Sequence, residues 1–537
     1  MFWRSLVLPI CIFSLGLAAQ DRVTKAVDPS QVTQVRGNVS PKAQARFDLG
    51  PADAAMEIPY LTIRLKHSDA QQAALDQLLA EQQTPGSPNY RKWLTPQVFG
   101  ERFGLSVNDL AKVTGWLQSQ GLTVNDVAAG RQWITFSGTV RQINSAFHTT
   151  IHLYRSGAET RYANSTEPFV PKALWEVVAG FDRLNDFPAH SDHIVVPAYN
   201  NGGAHYLAPA DFATIYDLNK LYQQGIDGTG VKIAIVGRTD INLADIAAFR
   251  SQFGLPANPP QVVLYGPDPG SNSSGDLDEA DLDLEWSGAV AYNATIIYVN
   301  SKDVNISAQY AIDNNLAPVM SYSYSLCEQE TTTAFRSIAQ QAAAQGITWM
   351  ASSGDSGSTA CDPDTTASQA TLGLAVNVPA SFPEITAVGG TMFNEGTGVY
   401  WSSANGTNLE SALSYIPEIV WNEDNGDYYG IASGGGGASL FFSKPAWQAG
   451  PGVPNDGARD VPDVAMNAAI HDGYAVTSGG VQEFLAGTSA ASPTFAGIVA
   501  LLNQYLVKHG TIQTAGLGNI NPTLYRLAQS SSGIFHD

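Results

Sequence analysis

Cysteine is nearly absent: Cys11, Cys327 and Cys361 are the only three in 537 residues. That excludes a disulfide-dense scaffold and a cysteine-rich zinc module. Basic residues are scarce as well, 28 Lys and Arg against 49 Asp and Glu, for a formal charge of −21. A surface of that sign excludes nucleic acid as a partner, because phosphate must be met by cations. Beyond the first 20 residues no membrane-spanning segment is expected. The shortage with the greatest consequence is histidine. After residue 206 there are three, His471, His509 and His536, so chemistry that needs an imidazole base has few candidates there.

What is present divides the chain. The start, "MFWRSLVLPICIFSLGLAAQ", has one Arg, an apolar run and then small residues, the pattern of an export signal over residues 1–20. The protein is therefore expected to be secreted, extracellular or periplasmic, and free of the membrane once the signal is cut. Cys11 leaves with it, and Cys327 and Cys361 are expected to form a disulfide in an oxidising compartment. Residues 21–57 are polar without period and read as a loose leader. Residues 58–187 read as a small α+β domain. "YLTIRLK", "QWITFSG" and "TTIHLYR" read as strands, and "DAQQAALDQLLAEQQ", "SVNDLAKVTGWLQSQ", "TVRQINSAF" and "PKALWEVVAGF" as helical stretches. Residues 188–206 are a Pro-, Gly- and Asn-containing linker. From 207 to 537 short β-rich runs ("VKIAIVG", "ATIIYVN", "APVMSYSYS", "ITWMASSGD", "EITAVGGT") alternate with helical ones. That order predicts an α/β fold, a mostly parallel sheet flanked by helices. The charge changes at the linker: residues 1–207 hold 18 Lys and Arg against 17 Asp and Glu, and the remainder holds 10 against 32. So acidic a domain suits an acidic medium, where carboxylates are neutral and self-repulsion is relieved.

"EFLAGTSAASPTFAG", residues 483–497, reads as a turn that delivers Ser489 to the start of an apolar helix. A serine hydroxyl is a weak nucleophile until a base takes its proton. None of the three histidines has the setting of that base. Two other stretches offer carboxyls instead. "DLDEADLDLEW", residues 276–286, holds six carboxylates and no cation. In a helix Glu279 and Asp283 are i,i+4 and share a face, a spacing that suits a solvated or metal-binding face, or a pair that shares one proton. "WMASSGDSGS", residues 349–358, presents Asp355 at the C-terminal end of a strand. There it reads either as a turn cap or as a protonated acid that donates to a developing oxyanion.

Taken in order, "ExxLD" (Glu279 to Asp283), "SGDSG" (Ser353 to Gly357) and "GTSAxxP" (Gly487 to Pro493) resemble the sedolisin family of serine-carboxyl peptidases. "SPNYRKWLTPQVFGERFG" and "WITFSGTVRQINSAFHTTIHLY" are similar to that family's activation propeptide. The resemblance implies a subtilisin-like catalytic domain behind a propeptide that acts as an intramolecular inhibitor. It also implies protein or peptide substrates, acid activity, and self-cleavage within 188–206. It assigns Ser489 as nucleophile, Glu279 as general base, Asp283 as its orienting partner and Asp355 as the oxyanion acid. It further implies that Ser433, Gly434, Gly435 and Gly436 pair with extended substrate and that Tyr324 walls the specificity pocket. A monomer is expected. One calcium ion is implied, and only its first ligand, Asp537 in "GIFHD", is present, so the family's calcium loop is expected to be incomplete in this chain. The alternatives are a tripeptidyl-peptidase of the same family, a Ser-His-Asp subtilisin-type protease using Asp240, and a catalytically dead protease fold used for binding.

Overall fold

The computed structural model describes residues 19–196, 205–271, 275–330, 333–362, 369–424, 430–530 and 533–536. The expected export signal, apart from its last two residues, and Asp537 lie outside the described residues.

The N-terminal part is built on a four-stranded antiparallel sheet. Its inner strands are Glu57–Leu65 and Trp133–Thr139, and its edges are Val178–Asp182 and Thr123–Val127. Ile58, Leu61 and Ile63 bury one face of that sheet against Val113 and Leu117 of helix Val107–Ser119 and Ile143 of helix Val140–Phe147. The helices begin where the sequence places caps. Ser68 and Gln71 close a capping box on Asp69–Gln83, and Thr139 and Gln142 do the same for Val140–Phe147.

Two expectations fail here. Residues 171–181, read as helical, form a single 3-10 turn at Lys172–Leu174 and then the strand Val178–Asp182. The β-branched pair Val177–Val178 and Gly180 disfavour helix, and the strand fills the open side of Glu57–Leu65. Residues 21–57, read as a loose leader, are built into the domain. Val32–Gln34 pairs with Phe169–Pro171, Asp48–Pro51 pairs with Ile151–Ser156, and Val23 and Val35 are buried. The Asp109 carboxylate draws this segment in by accepting the backbone N–H groups of Arg22 and Val23, at 2.6 and 3.1 Å.

The second part carries a twisted sheet whose strands are β1 (Lys232–Gly237), β2 (Gln261–Leu264), β3 (Thr295–Asn300), β4 (Val319–Tyr322), β5 (Thr348–Ser352), β6 (Thr386–Phe393), β7 (Glu418–Val420) and β8 (Val464–Asn467). Their order is β2-β3-β1-β4-β5-β6-β7, with β8 also pairing with β6, and every pairing is parallel except β6 with β7. Both faces are covered, which is why the strands read as continuous apolar runs. Two helices matter for the site, α1 (Asp276–Val290) and α2 (Thr488–Lys508), packed side by side on one face. By length and apolarity α2 could cross a membrane; in this fold it is a core helix, buried through most of its first four turns.

The N-terminal domain docks on the helices Val304–Asp313 and Arg336–Ala344 of the second. Asp313 accepts the N–H groups of Ala129 and Gly130 at 2.7 and 2.8 Å, Gln132 donates to Gln341 at 2.7 Å, and the Trp93 indole donates to Gly516 O at 3.1 Å.

Candidate active site

Ser489 is the second residue of α2, fully buried, its Oγ donating to Ser323 O at 3.2 Å. The turn before it depends on Gly487, whose φ is +111°. A Cβ on Gly487 would lie 2.3 Å from Asp355 Oδ2 and 2.6 Å from Asp192 O, so only glycine lets those two oxygens converge beside the serine. Asp355 follows the C-terminal end of β5, where ligands of parallel sheets are bound. Its Oδ1 accepts from the backbone N–H and the hydroxyl of Thr488, both at 2.8 Å. Its Oδ2 has no hydrogen-bond partner among the described residues. Burial, then the neighbouring Asp192 carboxylate, raises Asp355 well above the usual carboxylate range.

Glu279 and Asp283 lie one turn apart on α1, with 0% and 1% exposure. Burial raises Glu279 well above its ordinary range, against the opposing effect of hydrogen bonding from Ser489. Burial and the charge of Glu279 raise Asp283, whose Oδ1 accepts from Ser323 Oγ at 2.6 Å. The four sequence-assigned residues thus meet around one point. His471 is instead held by Glu423, at 2.5 Å, and by Asp472 at 2.9 Å, while the rings of His509 and His536 stack on Tyr505 and Tyr415. Asp240 accepts from Asn300 Nδ2 at 2.8 Å.

The histidine that does enter the site comes from the linker. His193 Nδ1 is 2.7 Å from Glu279 Oε2. Its neighbour Asp192 is buried as well, and neither was singled out in the sequence. The only signal was "SDH" inside a stretch otherwise typical of a loop.

Ser433, Gly434, Gly435 and Gly436 do not form the edge on which the linker lies. Their N–H groups donate in turn to Asp355 O, Trp421 O, Gly354 O and Gly357 O. A Cβ on Gly435 would come within 2.1 Å of Ser353 O, so the glycine run lets the chain press against the loop that carries Asp355. The edge that meets the linker is Tyr324–Ser325. Tyr324 lies on it through its backbone, while its ring is buried beneath the Arg238 guanidinium, 5.1 Å from centroid to carbon. Cys327 and Cys361 are bonded, tying the end of that edge strand to the segment after Asp355. Among the described residues no three His, Cys, Asp or Glu side chains gather as metal ligands. Asp537, the expected calcium ligand, lies outside the described residues.

The opposite face of α1 holds a second i,i+4 pair that the sequence reading passed over. Asp281 and Glu285 are both 0% exposed. Glu285 Oε2 accepts from Thr477 N at 2.9 Å, while among the described residues Glu285 Oε1 and both oxygens of Asp281 have no hydrogen-bond partner. Burial pushes Asp281 up to about 8. The native state therefore binds more protons than the unfolded chain between about 4 and about 8. Stability from this group is complete at the acid end and is lost as pH rises through that window. Asp281→Asn is expected to match the wild type in Tm near pH 4. Near pH 7.5 it is expected to be more stable, by on the order of 2–4 kcal/mol. Thermal unfolding of the two proteins at both pH values checks this, and equal pH dependence would refute it.

The family model described as pro-kumamolisin, activation domain, matches residues 45–187, and the one described as subtilase family matches residues 262–517. Sedolisin from Pseudomonas sp. (strain 101) is 28% identical over 513 residues, covering 90% of this chain and 81% of that protein. Kumamolisin from Bacillus sp. (strain MN-32) is 29% identical over 538 residues, covering 93% and 88%. The solved structure of Pseudomonas sedolisin, a serine-carboxyl proteinase complexed with two molecules of pseudo-iodotyrostatin, matches at 28% identity. Its TM-score is 0.51, covering 63% of this chain and 89% of that one. Over nearly its whole length this chain is similar to sedolisin and kumamolisin. It is a serine peptidase of subtilisin-like fold, and its pro-domain is an intramolecular inhibitor. In this chain the segment that follows the pro-domain reaches the site itself. Residues His190–Ser191 pair with Tyr324–Ser325 on one side of Ser489, and Ile194–Val196 pair with Phe484–Ala486 on the other.

Proposed function

We propose that this protein is a secreted zymogen of an acid-active serine-carboxyl endopeptidase, with Ser489 as nucleophile, Glu279 as general base, Asp283 as its orienting partner and Asp355 as oxyanion acid. One observation carries the reading: the Asp192 carbonyl accepts from Ser489 N at 2.9 Å, between the buried Glu279–Asp283 pair and the unpartnered oxygen of Asp355. Ser489 Oγ attacks the carbonyl carbon and its proton passes to Glu279. Negative charge grows on the carbonyl oxygen, where the Ser489 N–H and the neutral Asp355 carboxyl donate to it. Glu279 then returns the proton to the leaving amine, and water releases the acyl group from Ser489 by the same steps in reverse order.

The roles require particular charge states. Asp355 donates only while protonated, and Glu279 accepts only while the Glu279–Asp283 pair holds a single proton. The upward shift of Asp355 keeps it a donor through acid pH, while the coupled Glu279–Asp283 pair gives up its first proton to become a base and keeps the second, so activity needs that first loss and falls as pH rises through the later ones. Hydrolysis of an unfolded protein between pH 2 and 8 tests the reading. We expect an acid optimum that fades toward neutrality and disappears in Ser489→Ala. An optimum above pH 7 would sink the mechanism, and undiminished activity in Ser489→Ala would remove the nucleophile.

A further inference from the structure

The linker lies in the cleft in the manner of a substrate. Ser191 and His190 run antiparallel to Tyr324 and Ser325. Asp192 N donates to Ser323 O at 3.3 Å, and Asp192 O accepts from Ser489 N at 2.9 Å. The next residue, His193, rests on Glu279 Oε2, the atom set that must hand a proton to a leaving amine. The bond between them is therefore bracketed by nucleophile, base and oxyanion donors.

The Asp192 side chain points into a pocket of its own. Ser325 Oγ donates to Oδ1 at 2.6 Å and Ser352 Oγ to Oδ2 at 2.7 Å. The residue is 5% exposed. None of the hydrogen bonds and ion pairs at Asp192 among the described residues comes from Lys or Arg. Two hydroxyls at the spacing of a planar two-atom head fit a carboxylic acid or a carboxamide. A long apolar side chain would leave both hydroxyls buried and unpaired, and a cation would find no counter-charge on them.

We propose that Asp192–His193 is the bond this peptidase cuts in its own zymogen, and that the Ser325–Ser352 pocket selects Asp or Asn at the residue whose carbonyl is attacked. The assignment rests on the catalytic reading above. In the step itself the Asp192–His193 C–N bond breaks and an ester forms between Ser489 Oγ and the Asp192 carbonyl carbon. The Ser489 proton reaches the new His193 amine through Glu279. Water then adds to the ester, leaving a C-terminal Asp192 carboxylate and restoring Ser489. Burial pushes the Asp192 side-chain carboxyl up to about 7, so at acid pH it enters the uncharged pocket as a neutral acid.

The test uses the full-length zymogen shifted to acid pH, with intact-mass and N-terminal analysis at early times. The expected first products end at Asp192 and begin at His193. Asp192→Asn should cut at the same bond at a rate within about 3-fold, and Asp192→Leu or Asp192→Lys should slow that cut by about 10-fold or more. A second measurement needs no zymogen variant. The matured enzyme, given peptides that differ only at the attacked residue, should favour Asp and Asn over Leu and Lys by about 10-fold or more in kcat/KM. Ser325→Ala with Ser352→Ala should erase that preference, bringing the Asp-to-Leu ratio of kcat/KM to within about 3-fold of unity. Proteolysis with a different first cut and no preference for Asp or Asn would overturn this assignment and leave the catalytic reading standing. Absence of hydrolysis of every substrate would overturn the catalytic reading, and this assignment with it.

Discussion

Glu279→Gln is expected to lower kcat at the acid optimum by about 10²–10⁴, the usual contribution of a positioned general base. Gln has the same shape, so the wholly buried site keeps its packing; what it loses is the ability to take the Ser489 proton. Asp283 cannot substitute readily, because its Oδ1 is occupied by Ser323 Oγ at 2.6 Å and it lies one helical turn further along α1. The substitution also removes the charge that helps to raise Asp283, so the residual activity should have a different pH dependence from the wild type. Because the variant cannot mature itself, its zymogen is to be cut in trans by a trace of wild-type enzyme before kcat is measured. A variant that retained a tenth or more of wild-type kcat, with an unchanged far-UV spectrum, would mean that another group accepts the proton.

Asp355→Ala should cost about 10²–10³ in kcat, the typical loss for one oxyanion donor, with little change in KM. Asp355→Asn discriminates further. The wild-type carboxyl donates below its raised pKa and stops donating as pH climbs through it. An amide donates at every pH. The ratio of Asp355→Asn activity to wild-type activity should therefore rise with pH across the alkaline limb, even where the variant is slower at the optimum. A ratio that stayed flat would place the limiting ionisation on Glu279 and Asp283 alone.

Legibility in the sequence followed local physics. Alternating and apolar runs such as "YLTIRLK" and "VKIAIVG" became strands because their period matches a pleat. Helix Asp69–Gln83 begins where Ser68 and Gln71 can satisfy its first N–H groups. "PKALWEVVAGF" misled because its apolar spacing is compatible with a helix, while the competing force, an unpaired edge on Glu57–Leu65, lies more than a hundred residues away in the chain. The leader misled for a similar reason: Val23 and Val35 show no period of their own and are buried by partners found only after folding. The glycine run 433–436 was legible as close-approach backbone, and what it approaches was not.

The sequence by itself determined the chemical inventory. It provided a serine at a helix start, two carboxyls one turn apart, an aspartate at a strand end, and no histidine in a position to serve the serine. Those features depend on residue type and short-range spacing, which the chain carries directly. Only the tertiary structure decided which of the six acids in 276–286 face the serine and which are buried elsewhere, because solvent exposure is a property of packing. It also decided that Ser325 and Ser352, from two different strands, meet the side chain of Asp192. Residues so far apart in sequence are brought within hydrogen-bonding distance only when the sheet forms and the pro-domain docks against it.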